Sequence, residues 1–176
     1  MKYVVDSSLI IRRSKQDVYE FESFPTQWSN LDKMIKEGSI IAPIEVRKEL
    51  LKTTNELEYW CNNHERMFIP PNNDIILELS FLEEKFLIWY HSKDDSKDWA
   101  DPYLIAYAKA YDAVLVTQEG WYPDRKEKNY SIPIVCSKLG AYCHIGQYST
   151  KNVNRTASFQ CIDFIELIKR ESLYES

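Results

Sequence analysis

The 176-residue chain is expected to fold as an α/β protein, a three-layer α/β/α sandwich around a central, mainly parallel sheet. Two observations lead there. Lys2 to Val5, Ser39 to Ala42 and Ala113 to Thr117 are short apolar runs without polar alternation, the pattern of strands buried on both faces. Segments of helical period lie between them, so strands and helices alternate along the chain.

The elements follow in order. Leu9 to Tyr19 predicts a first helix. Pro25 and Thr26 open a second, with Trp28, Leu31, Met34 and Ile35 at helical spacing and Gly38 as its stop. Pro43 stands in the favoured first-turn position of a helix carrying Ile44, Val46, Leu50 and Leu51. Glu56 to His64 predicts another. Ile75, Leu79, Leu82, Phe86 and Trp89 recur at steps of four and three, which predicts one long amphipathic helix. His91 to Trp99 is a polar loop. Asp101-Pro102 begins the next helix, since Asp at a cap and Pro in the first turn mark an N-terminus. Ile132 to Val135 is expected as a fourth strand, Ala141 to Ile145 as a fifth, and Cys161 to Arg170 as a closing amphipathic helix. No composition shift divides the chain, so one domain over 1–176 is expected.

Composition narrows the chemistry. With four glycines and neither G-x-G-x-x-G nor G-x-x-x-x-G-K-[ST], the glycine-dependent dinucleotide and P-loop sites lose their support. A net charge of −5 argues against a nucleic-acid binder that works by basic excess, but not against a nuclease whose acids hold cations. Cys61, Cys136, Cys143 and Cys161 are spread without a C-x-x-C pair, as expected of reduced thiols in a core. Cys136, Cys143 and His144 lack a fourth ligand and the spacing of a zinc site. No secretory leader or membrane-length apolar run is visible, so the expected location is cytoplasmic and off the membrane.

The acids fall where strands end. Asp6 closes the first strand, Glu119 follows the third in V-L-V-T-Q-E, and Asp101 starts the helix leading into that third strand. Ligands of open α/β sheets bind beyond the carboxyl ends of the strands, where strand order reverses. Glu49, in the helix after the second strand, can reach the same crevice from the side. Clustered carboxylates repel one another, and divalent cations with a preference for oxygen, Mg²⁺ or Mn²⁺, relieve that repulsion. Two such ions about 3.5–4 Å apart can activate water against a phosphodiester.

Y-V-V-D-S-S-L-I-I, E-V-R-K-E-L, A-D-P-Y-L-I-A-Y-A and V-L-V-T-Q-E resemble, in order and spacing, the motifs of the PIN-domain nucleases. The long helical insert between the second and third motifs, with I-P-I-V-C near the end, is similar to a prokaryotic PIN-like subfamily long catalogued as a domain of unknown function. The resemblance spans roughly Met1 to Ile145. It implies a Mg²⁺- or Mn²⁺-dependent ribonuclease with Asp6, Glu49, Asp101 and Glu119 as metal ligands and catalytic acids. It also implies an RNA substrate, a toxin of a toxin–antitoxin pair with a cognate antitoxin, and a homodimer. The family often has Asn where this chain has Ser8, and commonly Asp where it has Glu119.

Each residue also has a plainer explanation. Asp6 and Asp101 can cap helices, with Asp98 a rival for the second position. Glu49 can pair on a helix surface with Arg47, Lys48 or Lys52, and Glu119 can belong to a turn. Ser7, Ser8 and Thr117 are expected either to orient the acids or to bond local backbone. Trp121, Arg125 and Lys126 in W-Y-P-D-R-K-E-K, with Arg12, Arg13 and Lys15, suit RNA contact through stacking and phosphate pairing. A haloacid-dehalogenase-type phosphatase would need an acid at Ser8, and no histidine has triad partners. The alternative to an enzyme is a catalytically weak PIN module that binds RNA or protein.

Overall fold

The computed structural model describes residues 2–12, 22–93, 99–151, 154–156 and 159–175. Seven strands among these residues form one sheet: β1 (Tyr3–Val5), β2 (Ile40–Pro43), β3 (Phe68–Ile69), β4 (Val114–Val116), β5 (Tyr142–Ile145), β6 (Tyr148–Ser149) and β7 (Gln160–Ile162). Their order is β3-β2-β1-β4-β7-β5-β6, parallel throughout except for the β5–β6 hairpin. The helices are α1 (Ser7–Ile11), α2 (Pro25–Lys36), α3 (Ile44–Leu50), α4 (Asn55–Asn63), α5 (Asn73–Lys85), α6 (Leu87–Tyr90), α7 (Asp101–Ala110), α8 (Ile132–Lys138) and α9 (Phe164–Arg170). They cover the sheet as a three-layer α/β/α fold.

The sheet is the centre of the core because its strands are apolar on both faces. Val4, Val5 and every residue of β4 are fully buried, and each such side chain contributes on the order of 1.5–3 kcal/mol on leaving water. Helices seal it on either side. On one of them Trp28 of α2 meets Phe164 of α9 with ring centroids 5.3 Å apart.

From β1 the chain moves outward to β2 and β3, then returns to place β4 on the other side of β1. Strand order therefore reverses between β1 and β4, where a crevice opens beyond the strand ends. Val5 lies opposite Val116, so Asp6 and Thr117 leave the sheet together, with Asp6 N–H donating to the Val116 carbonyl at 3.0 Å.

Four expectations about elements change. Ile132 to Val135 is the start of helix α8, not a strand. Pro133 sits in its first turn, and the Glu119 carboxylate accepts the Ile132 N–H at 2.6 Å. A short apolar run has no period of its own to separate the two outcomes. The long helix breaks at Phe86 (φ −129°, ψ 53°), because Glu127 captures the N–H groups of Ile88 and Trp89 at 3.0 and 3.4 Å and starts α6 afresh. Gln160–Ile162 is a strand and the closing helix begins only at Phe164, capped by Asp163, which accepts the Glu166 N–H at 2.8 Å. Helix α1 begins at Ser7 rather than Leu9, and the expected helix beyond Arg12 lies outside the described residues.

Candidate active site

Asp6 stands at the N-cap position of α1, but its carboxylate bonds no helix amide. It is 5% exposed, and three hydroxyls account for its burial. Ser8 donates to Oδ2 at 2.5 Å, Thr117 to the same oxygen at 2.8 Å, and Ser7 lies 3.3 Å from Oδ1. Ser7 is closer to Glu49, donating to Oε2 at 2.6 Å, while Glu49 Oε1 accepts the Ala100 N–H at 2.8 Å. Glu49 thus reaches from α3 to the start of α7. Of the cations that could pair with it on the helix surface, Arg47 donates to Asn62 at 3.0 Å and Lys48 stands 3.7 Å from Glu45.

Asp101 is the first residue of α7, one place inside the N-cap residue Ala100, which offers no side-chain cap. Asp101 therefore does not stand at the cap position, and Asp6 stands at one without bonding a helix amide. Burial pushes the Asp101 pKa well above the ordinary carboxylate range, and the charges of Glu119, Asp6 and Glu49 push it further. The nearby Trp99 indole N–H works the other way; it is buried and bonds no acceptor among the described residues. Burial raises Glu119 as well, the Ile132 N–H draws it down, Asp6 raises it, and Lys93 and Arg125 draw it down. The four predicted acids therefore share one electrostatic neighbourhood at the reversal point of the sheet.

Asp101 and Glu119 lie in the wall of a cleft of about 640 Å³ whose rim carries Lys93, Arg125 and Lys128. Among the described residues, no three acidic, histidine or cysteine side chains stand close enough to grip an ion as they lie. The donors are nevertheless all carboxylate oxygens, which is the chemistry Mg²⁺ and Mn²⁺ select. Desolvation first, and then the charges of Glu119, Asp6 and Glu49, disfavour the charged form of Asp101, and such an ion would offset both.

Over residues 3–153 the sequence matches the family described as a domain of unknown function, DUF4411. The chain belongs to the DUF4411 family. No curated protein and no solved structure matches it.

In this DUF4411 chain Ser7, Ser8 and Thr117 bond the acids, and Ser8 and Thr117 also bond local backbone, accepting the Gln118 and Glu119 N–H groups at 3.1 Å each. Trp121 does not line the acid cleft. It packs partly against the core and lines a neighbouring pocket with Arg125. Arg12 closes α1 away from the cleft lining, Lys126 precedes the turn at Glu127–Asn129, and Arg13, Lys15 and Asp98 lie outside the described residues.

Several site residues were not foreseen. Lys93, Lys128 and Tyr130 line the cleft because α6 and the turn at Glu127–Asn129 fold toward each other, joined by Glu127 and by the Trp89 indole donating to the Tyr130 carbonyl at 3.1 Å, and Gln118 lines it from the end of β4. That approach joins segments 38 to 41 residues apart and has no local pattern. Gly120 had a readable signal, as the only glycine of the loop after β4. A Cβ there would sit 2.6 Å from the Tyr122 ring, so glycine lets that ring lie over the backbone beside Glu119.

Proposed function

We propose that this DUF4411 chain is a metal-dependent ribonuclease that cleaves single-stranded RNA at the acid cleft. The observation that carries the reading is Asp101, half-buried in the wall of the cleft beside Glu119 and within reach of the charges of Asp6 and Glu49. Three cations rim the cleft into which Asp101 and Glu119 face. Acids in the wall and cations at the rim suit a phosphodiester whose reacting phosphorus is served by Mg²⁺ or Mn²⁺ and whose neighbouring phosphates pair with lysine and arginine. The resemblance to the PIN-domain nucleases points the same way.

Asp6, Glu49, Asp101 and Glu119 would hold the ion or ions, which supply the Lewis acidity for attack by water. Ser7, Ser8 and Thr117 keep Asp6 and Glu49 oriented, and the Ile132 N–H does so for Glu119. Lys93, Arg125 and Lys128 hold the strand.

The test is cleavage of single-stranded RNA in Mn²⁺ by the wild type and by Asp6→Asn. The expected result is cleavage by the wild type, abolished by chelator and lowered at least about 10²-fold in the variant. Full activity of the variant, or activity in excess chelator, overturns the reading. The second reading is a PIN module that binds RNA or a protein without cleaving. It draws on the acids not standing at gripping distance from one another. Silence toward Mn²⁺ with RNA binding intact would select it. The toxin activity, its antitoxin and the homodimer rest on the resemblance alone, and a small adjacent gene whose product silences the protein would support the first two.

A further inference from the structure

A second pocket, of about 380 Å³, adjoins the acid cleft and shares Tyr122 and Arg125 with it. Its other lining residues are Trp121, Pro123, Asp124 and Tyr148. Trp121 and Tyr148 lie nearly parallel, with centroids 6.2 Å apart and planes 20° from each other. Tyr148 comes from the β5–β6 hairpin and is 58% exposed, so it offers an aromatic face that the fold leaves uncovered. Tyr122 carries the Arg125 guanidinium 3.8 Å from its ring centroid. The pocket thus combines a flat aromatic platform, a cation stacked on a ring and one carboxylate, next to a cleft suited to phosphates.

We propose that this pocket takes one base of the bound strand, and that Asp124 makes that base guanine. The inference rests on the RNA reading above. A base stacks on aromatic faces whatever its identity, so the platform supplies affinity and the carboxylate supplies choice. A carboxylate only accepts hydrogen bonds. Guanine alone presents two adjacent donors, N1–H and the N2 amino group, to a two-oxygen acceptor. The uracil edge flanks its single donor with carbonyl oxygens, which a carboxylate repels. Arg125 offsets the repulsion between Asp124 and the phosphates on either side of the base.

The test is fluorescence anisotropy in chelator, with a labelled oligouridylate and the same strand carrying one internal guanosine. The wild type is expected to bind the guanosine strand about 5- to 100-fold tighter. Tyr148→Ala, an exposed site, should weaken guanosine-strand binding by about fivefold or more. Asp124→Asn should erase the preference and leave oligouridylate affinity within about twofold. Equal affinity of the wild type for both strands, absence of binding included, overturns the proposal, as does a preference that survives Asp124→Asn. Binding in chelator is read apart from cleavage. Mn²⁺-dependent cleavage without guanosine preference would sink only the base pocket, and preference without cleavage only the nuclease.

Discussion

Thr117 Oγ1 donates to Asp6 Oδ2 at 2.8 Å, joining side chains 111 positions apart at the ends of neighbouring parallel strands. Ser8 completes the link by donating to the same oxygen and accepting the Gln118 N–H. A buried carboxylate so held is oriented by its neighbours rather than by a helix end. Removing the Ser8 hydroxyl should therefore change function more than folding. Ser8→Ala is expected to lower Mn²⁺-dependent cleavage about 10- to 100-fold. A thermal melt of the same preparation should show the fold retained, and a variant with wild-type activity would place Ser8 among ordinary backbone-bonding serines.

Glu119 has two separable functions, a charge in the cleft and an acceptor for the first amide of α8. Glu119→Gln keeps a carbonyl acceptor and loses the charge, so cleavage should vanish while the melting temperature stays near that of the wild type. Glu119→Ala loses both and should also cost about 0.5–2 kcal/mol of stability, the usual value of a lost cap. Chemical denaturation of the two variants side by side separates the contributions. Equal destabilisation by both would mean that the charge itself supports α8.

Asp101 predicts an inverted pH response. Its folded pKa is raised above the ordinary 3.8, first by burial and then by Glu119, Asp6 and Glu49. A raised acid stabilises the fold fully below the unfolded value, and that contribution is lost as pH rises through the folded value. Metal-free Asp101→Asn should therefore melt above the wild type at neutral pH, with the gap closing toward acid. Each kcal/mol corresponds to about 2–4 °C for a chain of this size. Melts in chelator across the acid-to-neutral range would show it, and a gap that does not change with pH would contradict the assignment.

The cationic rim predicts a salt signature. Lys128→Ala and Arg125→Ala should each weaken single-stranded RNA binding and reduce the slope of log affinity against log salt by about 0.7. Binding titrations across salt concentrations measure this. An unchanged slope would mean that the rim does not face phosphate.

Much of the site was legible because strand ends are. Asp6, Asp101 and Glu119 each follow or precede an apolar run, and parallel strands with helical crossovers bring such positions to one edge. Glu49 depended on its E-L context within the family pattern, since nothing local distinguishes it from Lys48 or Glu45. The helix at Ile132 was hidden because its start is set by Glu119, a carboxylate 13 residues earlier. The break at Phe86 was hidden because Glu127, far along the chain, recaptures the freed amides. Both errors arise where a distant side chain supplies the cap that local sequence lacks.

The proposed function stands or falls on whether the four acids at the β1–β4 crevice bind a divalent ion. A crystal soaked in Mn²⁺ tests it most directly through anomalous diffraction. A Mn²⁺ peak is expected in contact with Asp6, Asp101 and Glu119, with Glu49 at its side, and no such peak in Asp6→Asn. A wild-type crystal soaked at millimolar Mn²⁺ that shows no peak there, or shows one only elsewhere, would contradict it.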